Sequence, residues 1–284
     1  MRVPLLALAA LVAAQDPAPK VDIAWKLKKG EEFACEVSLG TSGKETERIY
    51  RSLHALHLGL AIREVGKDGK ADVKAVIERI RFSIVYHPEG GVDIDTDGKE
   101  DEKLDALKRS AWHLKGKSFT LVIGPRGLES IGGLGEIVKE AVTAAGEAPG
   151  DIDRTSRRLA ANLEQVIRYS VPTTPIAPVE AGGFVINDQF RFDYMSLRGS
   201  TMKDTKKIKS IENGRVDISH TLEITPAADS KVTEAGGTGR TVWNLERGLP
   251  ESHEITAKTK SRIAERDCEE EHKVTLKITS RPKK

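Results

Sequence analysis

The chain has 284 residues, 38% of them hydrophobic and only 5% aromatic, and its 45 Lys and Arg nearly cancel 43 Asp and Glu for a formal net charge of +2. Charge this balanced and interspersed offers no concentrated basic face, which argues against a nucleic-acid binder and against electrostatic attachment to anionic lipid. The length suits one large domain or two small ones.

Arg2 followed by the unbroken apolar run Leu5–Ala13, with Val12-Ala13-Ala14 ahead of Gln15, has the three-part layout of an export signal over residues 1–14. The run is too short to span a bilayer, which takes roughly 20 apolar residues. No later stretch is long enough either, so the mature chain is expected to be exported, periplasmic or extracellular, with no transmembrane segment. Residues 15–20 read as a spacer.

Strand patterns then begin. Val21, Ile23, Trp25 and Leu27 alternate with polar residues, and Phe33 to Leu39 resumes the alternation after a turn at Lys29-Gly30-Glu31. Two long alternating runs flank Gly66-Lys67-Asp68-Gly69 and predict a hairpin pairing Ile62 with Val73, Leu60 with Ala75 and Leu58 with Ile77. Farther from the turn the apolar parity flips, setting Ala55 opposite Ile80 and Leu53 opposite Phe82. Either the hairpin bends between two packing layers or bulges restore one face. A short strand is expected at Val92–Ile94.

Helical spacing takes over at Leu104, Leu107, Ala111 and Leu114. A hairpin follows, with Phe119, Leu121 and Ile123 leading into the turn Gly124-Pro125-Arg126-Gly127. A second helix carries Leu134, Ile137, Val138, Ala141 and Val142. A third, from about Asp153 to Tyr169, buries Leu159, Leu163, Val166 and Ile167. Residues 171–183, with three prolines and two adjacent glycines, form the best internal boundary. It separates a first β lobe with a helical insert (21–180) from a second β lobe (181–284). In the second lobe Phe190, Phe192 and Tyr194 alternate, Asn213-Gly214 predicts a two-residue hairpin turn, and Val216, Ile218 and Leu222 continue the strand. Residues 225–240 read as a loop, and three strands close the chain around Thr241–Leu245, Glu254–Lys260 and His272–Ser280. Leu121–Ser130 echoes Val242–Ser252, each a strand, an Arg-Gly-Leu turn and a Glu-Ser entry to the next strand. The echo leaves open whether the lobes are a duplication.

Taken in order, the export signal, Trp25-Lys-Leu-Lys-Lys-Gly30-Glu-Glu-Phe33, the hairpin Ile62–Val73, Phe119-Thr-Leu-Val-Ile-Gly-Pro-Arg-Gly-Leu128 and the proline-rich 171–179 resemble a family of exported bacterial proteins of unknown function, abundant in planctomycetes. Gly182-Gly183-Phe184 stands where that family often has a Gly-Asp-Thr-Trp-like step. The resemblance implies export and a β-rich fold, and it supplies no activity.

Asp93-Ile-Asp95-Thr-Asp97-Gly98 is the sharpest local motif, because alternate carboxylates followed by Gly can wrap a calcium ion. Asp93, Asp95 and Asp97 are therefore the candidate metal ligands, and calcium the one candidate cofactor. Leu104 stands where a bidentate Glu would close a standard loop, so a polar strand face with a solvated turn is the competing reading. His54 and His57, three apart on a strand, point to opposite faces and do not make a shared zinc site. The remaining histidines read as scattered surface or interfacial residues. Ser130 and Ser252 lack a nucleophile elbow, and Gly132-Gly133 suits a sharp strand-to-helix turn. Cys35 and Cys268, near opposite ends of the chain, either bridge the first and last strands or stay free, with Cys35 facing the core and Cys268 in a polar bend.

The fold class expected is α+β: curved, mostly antiparallel sheets forming two half-barrel-like lobes, with about three helices inserted and packed on a concave face. Such an arrangement leaves an apolar cleft suited to an apolar small molecule, a lipid or an envelope protein. The function expected is a non-catalytic exported binding or envelope-associated module. The alternatives are a hydrolase whose site assembles only in three dimensions, or a structural or assembly protein.

Overall fold

The computed structural model describes residues 20–45, 48–175, 177–180, 184–191, 200–228, 231–263 and 266–282. The expected export signal, most of the spacer, Phe192 and Tyr194 lie outside the described residues.

Six strands and three helices make up the first part of the chain: β1 (Glu32–Glu45), β2 (Arg48–Val65), β3 (Ala71–His87), β4 (Gly90–Asp95), α1 (Ala106–Leu114), β5 (Ser118–Gly124), β6 (Gly127–Gly132), α2 (Leu134–Ala144) and α3 (Ile152–Tyr169). Six more strands follow: β7 (Phe184–Arg191), β8 (Thr201–Glu212), β9 (Arg215–Thr225), β10 (Val232–Asn244), β11 (Leu249–Ile263) and β12 (Arg266–Ser280). All join one open, curved antiparallel sheet in the order β6-β5-β3-β2-β1-β12-β11-β10-β9-β8-β7, with β4 also paired to β3. The α+β class holds. The first and last strands pair, Phe33 opposite Ser280, so the sheet runs unbroken from one part of the chain to the other.

Alternation decides which face is inner. On β1, Phe33, Cys35 and Val37 turn toward the helices and pack with Val138, Val142, Leu163, Val166 and Ile167. Each such fully buried aliphatic side chain contributes about 1.5–3 kcal/mol. The outer face of the second half is a lattice of exposed cross-strand ion pairs: Lys203–Glu223 at 3.1 Å, Arg240–Asp217 at 2.9 Å, Lys258–Glu271 at 3.3 Å and Lys273–Glu254 at 2.8 Å. Each adds little to stability, but together they keep that face wet and in register.

Local chemistry sets the element ends. Asp105 caps α1 by accepting from the Lys108 amide at 2.9 Å, which starts the helix two residues later than Leu104. Gly133, at φ +78°, turns β6 into α2. The β8–β9 turn places Asn213 at φ +50° and Gly214 at φ +73°, the left-handed pair a two-residue hairpin requires.

Three expectations change. Residues 232–240 are strand, not loop: β10 is hydrogen-bonded on both edges, to β9 and to β11. That ladder overrides the weak strand propensity of its glycines. Gly239 is also hemmed in by its neighbours. A Cβ there would sit 2.6 Å from the Glu254 carbonyl oxygen and 2.9 Å from Ile255 Cγ1. Second, the β2–β3 hairpin keeps Ile62, Leu60 and Leu58 opposite Val73, Ala75 and Ile77, but a bulge at Glu78 then resets it. Leu56 faces Ile80, His54 faces Phe82 and Ala55 faces Arg81. One bulge thus returns Ile80, Phe82 and Ile84 to the inner face. Third, Cys268 is not in an exposed bend but buried within β12. Cys35 lies opposite Ile278, roughly 33 Å of strand from Cys268 at about 3.3 Å per residue. No disulfide joins them, and burial pushes the Cys35 thiol up to about 12.

The two echoed turns meet. The Trp25 amide donates to the Pro125 carbonyl at 2.9 Å, and the Lys26 amide to the Gly248 carbonyl at 3.2 Å. The segment before β1 therefore ties the β5–β6 turn to the β10–β11 turn, drawing distant parts of the sheet together at one end. Val21 pairs with Val179, and Thr174 donates to the Pro125 carbonyl, so the proline-rich segment belongs to the same tie.

Candidate functional site

Along the inner face, the helices fill the end of the sheet nearest the tie. Beyond Leu56 and Ile80 the same face continues as a row of half-exposed apolar and aromatic side chains on β2 and β3. His54 meets Phe82 edge to face with centroids 4.6 Å apart, Tyr50 meets Tyr86 at 6.3 Å, and Ile84 lies between the two pairs. Tyr86 is 41% exposed. The outer side of the same hairpin end shows Ile49 and Val85, 47% and 46% exposed. So much apolar side chain in water is unusual for a strand end whose other residues pack. Burial holds the His54 imidazole down to about 4, so it stays neutral and works as an aromatic surface.

Next to this shelf the inner face turns polar. Register places Ser52, Thr41 and His272 in one row across β2, β1 and β12, and Tyr50, Gly43, Glu270 and Thr259 in the next. Gly43 is needed there: a Cβ would fall 2.3 Å from Tyr50 Cε1, so the phenol ring lies across the space a side chain would fill. His272 Nδ1 is 3.1 Å from the Thr41 hydroxyl, and its Nε2 is 3.5 Å from a Glu270 oxygen.

A second polar group is buried between β8, β9, β10 and β11. Asp204, Lys206, His220, Thr241 and His253 are each no more than 4% exposed. His220 Nδ1 donates to Asp204 Oδ2 at 2.9 Å, while His220 Nε2 and His253 Nδ1 each lie 2.7 Å from Thr241 Oγ1. Asp204 can only accept, so with both imidazoles neutral the chain has one direction: His253 to Thr241 to His220 to Asp204. Burial above all pushes His253 down to about 3. Lys206 Nζ balances Asp204 at 3.7 Å and donates to the Thr173 hydroxyl at 2.5 Å. This network anchors the proline-rich segment to the second half of the sheet. Asp204, His220 and Thr241 have the order of a hydroxyl-activating triad, yet Thr241 is 2% exposed and its oxygen already engages both imidazoles.

Asp95 and Asp97 come together on Arg79, whose Nε lies 3.1 Å from Asp97 Oδ2, while Asp93 stands apart. Asp95 Oδ1 accepts from Arg79 Nε at 2.8 Å, its second oxygen pairs with the same guanidinium, and Arg81 Nε stands 3.4 Å away. Arg79 above all holds this carboxyl well below the usual range. Asp97 accepts from Lys115 Nζ at 2.7 Å, and Asp93 is exposed opposite Ser83. Among the described residues no group of three or more His, Cys, Asp or Glu could hold a metal ion. His54 and His57 do face opposite sides of β2, and Ser130 and Ser252 lie on strands.

No protein-family model matches the chain, and no curated protein does. One solved structure, described as lipid-protein interactions in lipovitellin, is similar over 90% of this chain and 26% of its own, at 7% identity and a TM-score of 0.49. The chain spans about a quarter of that structure's length. What the site can do therefore rests on its own residues.

Inward-facing polar residues were missed in sequence. Asp204 and Lys206 stand between Met202 and Ile208 in one period-two row, and His220 stands between Ile218 and Leu222 in another, so period two was the signal for all three. The shelf was hidden by the bulge at Glu78: the flip of apolar parity along the hairpin announced a bend or a bulge without fixing its residue.

Proposed function

We propose that the chain is an exported, non-catalytic binding module whose ligand is apolar and lies on the inner-face shelf of Tyr50, His54, Phe82, Ile84 and Tyr86. One observation carries the reading: these side chains stay half-exposed on a concave face whose other apolar residues are packed. Such a face gains free energy when apolar surface covers it. The uncharged probe N-phenylnaphthylamine should bind saturably with a rise in fluorescence. The double variant Phe82→Ser, Tyr86→Ser should weaken that binding by about tenfold or more, the loss expected for two aromatic contacts. Absence of saturable binding, or binding indifferent to the two substitutions, overturns the proposal.

A hydrolase draws on the Asp204–His220–Thr241 geometry. The burial of Thr241 stands against it, since no substrate carbonyl reaches a hydroxyl enclosed in this way. Thr241→Val separates the two: a loss of stability alone fits the anchoring role, whereas loss of an esterase activity present in the native chain would favour the enzyme.

A further inference from the structure

The polar rows beside the shelf carry two buried side-chain atoms that lack a hydrogen-bond partner, Tyr50 Oη and His272 Nε2. Buried polar atoms are nearly always satisfied, and an exception calls for an explanation such as a water, an ion or a ligand group. Of seven such atoms among the described residues, these two lie in adjacent rows of the inner face. Tyr50 lies across Gly43, whose register partner on the other side is Glu270, and His272 is the next inward residue along β12. His272 Nε2 and the Thr259 hydroxyl each stand 3.5 Å from Glu270 Oε2, at the outer limit of a hydrogen bond. The Glu270 side chain is 10% exposed and that of His272 14%, so bulk water does little of the solvating.

Resting on the shelf reading, we infer that the ligand is an amphiphile whose head is a hydrogen-bond donor, a hydroxyl or an ammonium, seated among Tyr50, Glu270 and His272 with its chain along Phe82 and Tyr86. Such a head donates to the Glu270 carboxylate, and a hydroxyl also accepts from Tyr50 or His272. A carboxylate head brings like charge against Glu270 in a site poor in water, where repulsion is strongest. A fatty acid is therefore disfavoured, while a long-chain alcohol or amine fits. Thr41 holds the other imidazole nitrogen, which fixes the direction in which Nε2 points.

The test is displacement of bound N-phenylnaphthylamine by decanol, decylamine and decanoate at neutral pH, on the full chain. Decanol and decylamine should displace it at concentrations about tenfold lower than decanoate does, the size of one like-charge contact in a partly dry site. Glu270→Gln should bring decanoate level with the other two. Tyr50→Phe, which keeps the ring and removes only the unpartnered hydroxyl, should weaken decanol several-fold more than it weakens the probe. Equal displacement by all three in the native chain, or an order unchanged in Glu270→Gln, overturns the head-group assignment while the shelf stands. A native chain that never binds the probe removes the shelf and the head-group site together.

Discussion

Trp25 and Trp243 meet edge to face, their rings 89° apart in plane with centroids separated by 5.3 Å. Trp25 precedes β1 and Trp243 is the next-to-last residue of β10, so this contact joins distant halves of the chain. Trp25 Nε1 also donates to the Pro172 carbonyl at 3.1 Å. Three segments distant in sequence thus converge on one indole, at the end of the sheet where the two echoed turns are tied.

Trp25→Ala should cost about 3–5 kcal/mol, the usual penalty for emptying a large buried aromatic site. Trp25→Phe keeps most of the packing and gives up the bond to Pro172, so its cost should be nearer about 1 kcal/mol. Urea unfolding of the two variants checks the difference. Equal, small losses would mean that the tie is not what holds this end of the sheet closed.

Acidification should destabilise the fold before the carboxylates titrate. Folded His253 and His54 titrate at about 3 and about 4, against 6.5 for an ordinary histidine. As pH falls below 6.5 the unfolded chain gains protons that the folded chain refuses, so stability is lost. Above that value both states are neutral and neither group contributes. The slope is about one to two kcal/mol per pH unit for each histidine. The urea midpoint should therefore fall between about pH 7 and about pH 5, and His253→Gln, though weaker at neutral pH, should fall less steeply. A midpoint flat across that range would contradict the burial of both imidazoles.

Much of this architecture was readable in the sequence, and where reading failed the causes are physical. Turn residues with special backbone needs, such as Asn213-Gly214, announce hairpins because few other pairs adopt their angles. The helical stripe of Leu163, Val166 and Ile167 announces α3 for the same kind of reason. β10 was unreadable because its Gly236, Gly237 and Gly239 carry no pattern, and only the two neighbouring strands show why they are there. The buried Asp204 and His220 were readable in spacing but not in partnership, since their link to Thr241 and His253 depends on strand register. The shelf depended on a single bulge, and one inserted residue reverses every face beyond it.

Two glycines on the inner face predict opposite outcomes. At Gly239 an added Cβ meets the Glu254 carbonyl and Ile255, which belong to a strand that cannot move alone. Gly239→Ala should cost about 1–3 kcal/mol or more. At Gly43 the obstacle is the far end of the Tyr50 side chain, which can swing aside. Gly43→Ala should therefore change the melting temperature little, yet shift tyrosine fluorescence as Tyr50 leaves its place. A large stability loss at Gly43 would mean that Tyr50 is pinned more tightly than its half-exposed ring suggests.

Glu78 is the residue on which the inner face of β3 turns. It is the extra residue of the bulge, and its carboxylate reaches over Gly59 to pair with Arg281, just past β12. Two roles are therefore combined in one position, and they can be separated. Arg281→Ala removes only a half-exposed ion pair and should cost well under about 1 kcal/mol. Deleting Glu78 removes the extra residue, so Arg79 follows Ile77 directly, keeps His57 as its partner and leaves Ile80, Phe82 and Ile84 on the inner face. The deletion variant should therefore still melt cooperatively, as judged by circular dichroism, and still bind N-phenylnaphthylamine. Loss of the cooperative melt would mean that the local twist of the bulge, and not only the parity it corrects, is needed to pair β2 with β3.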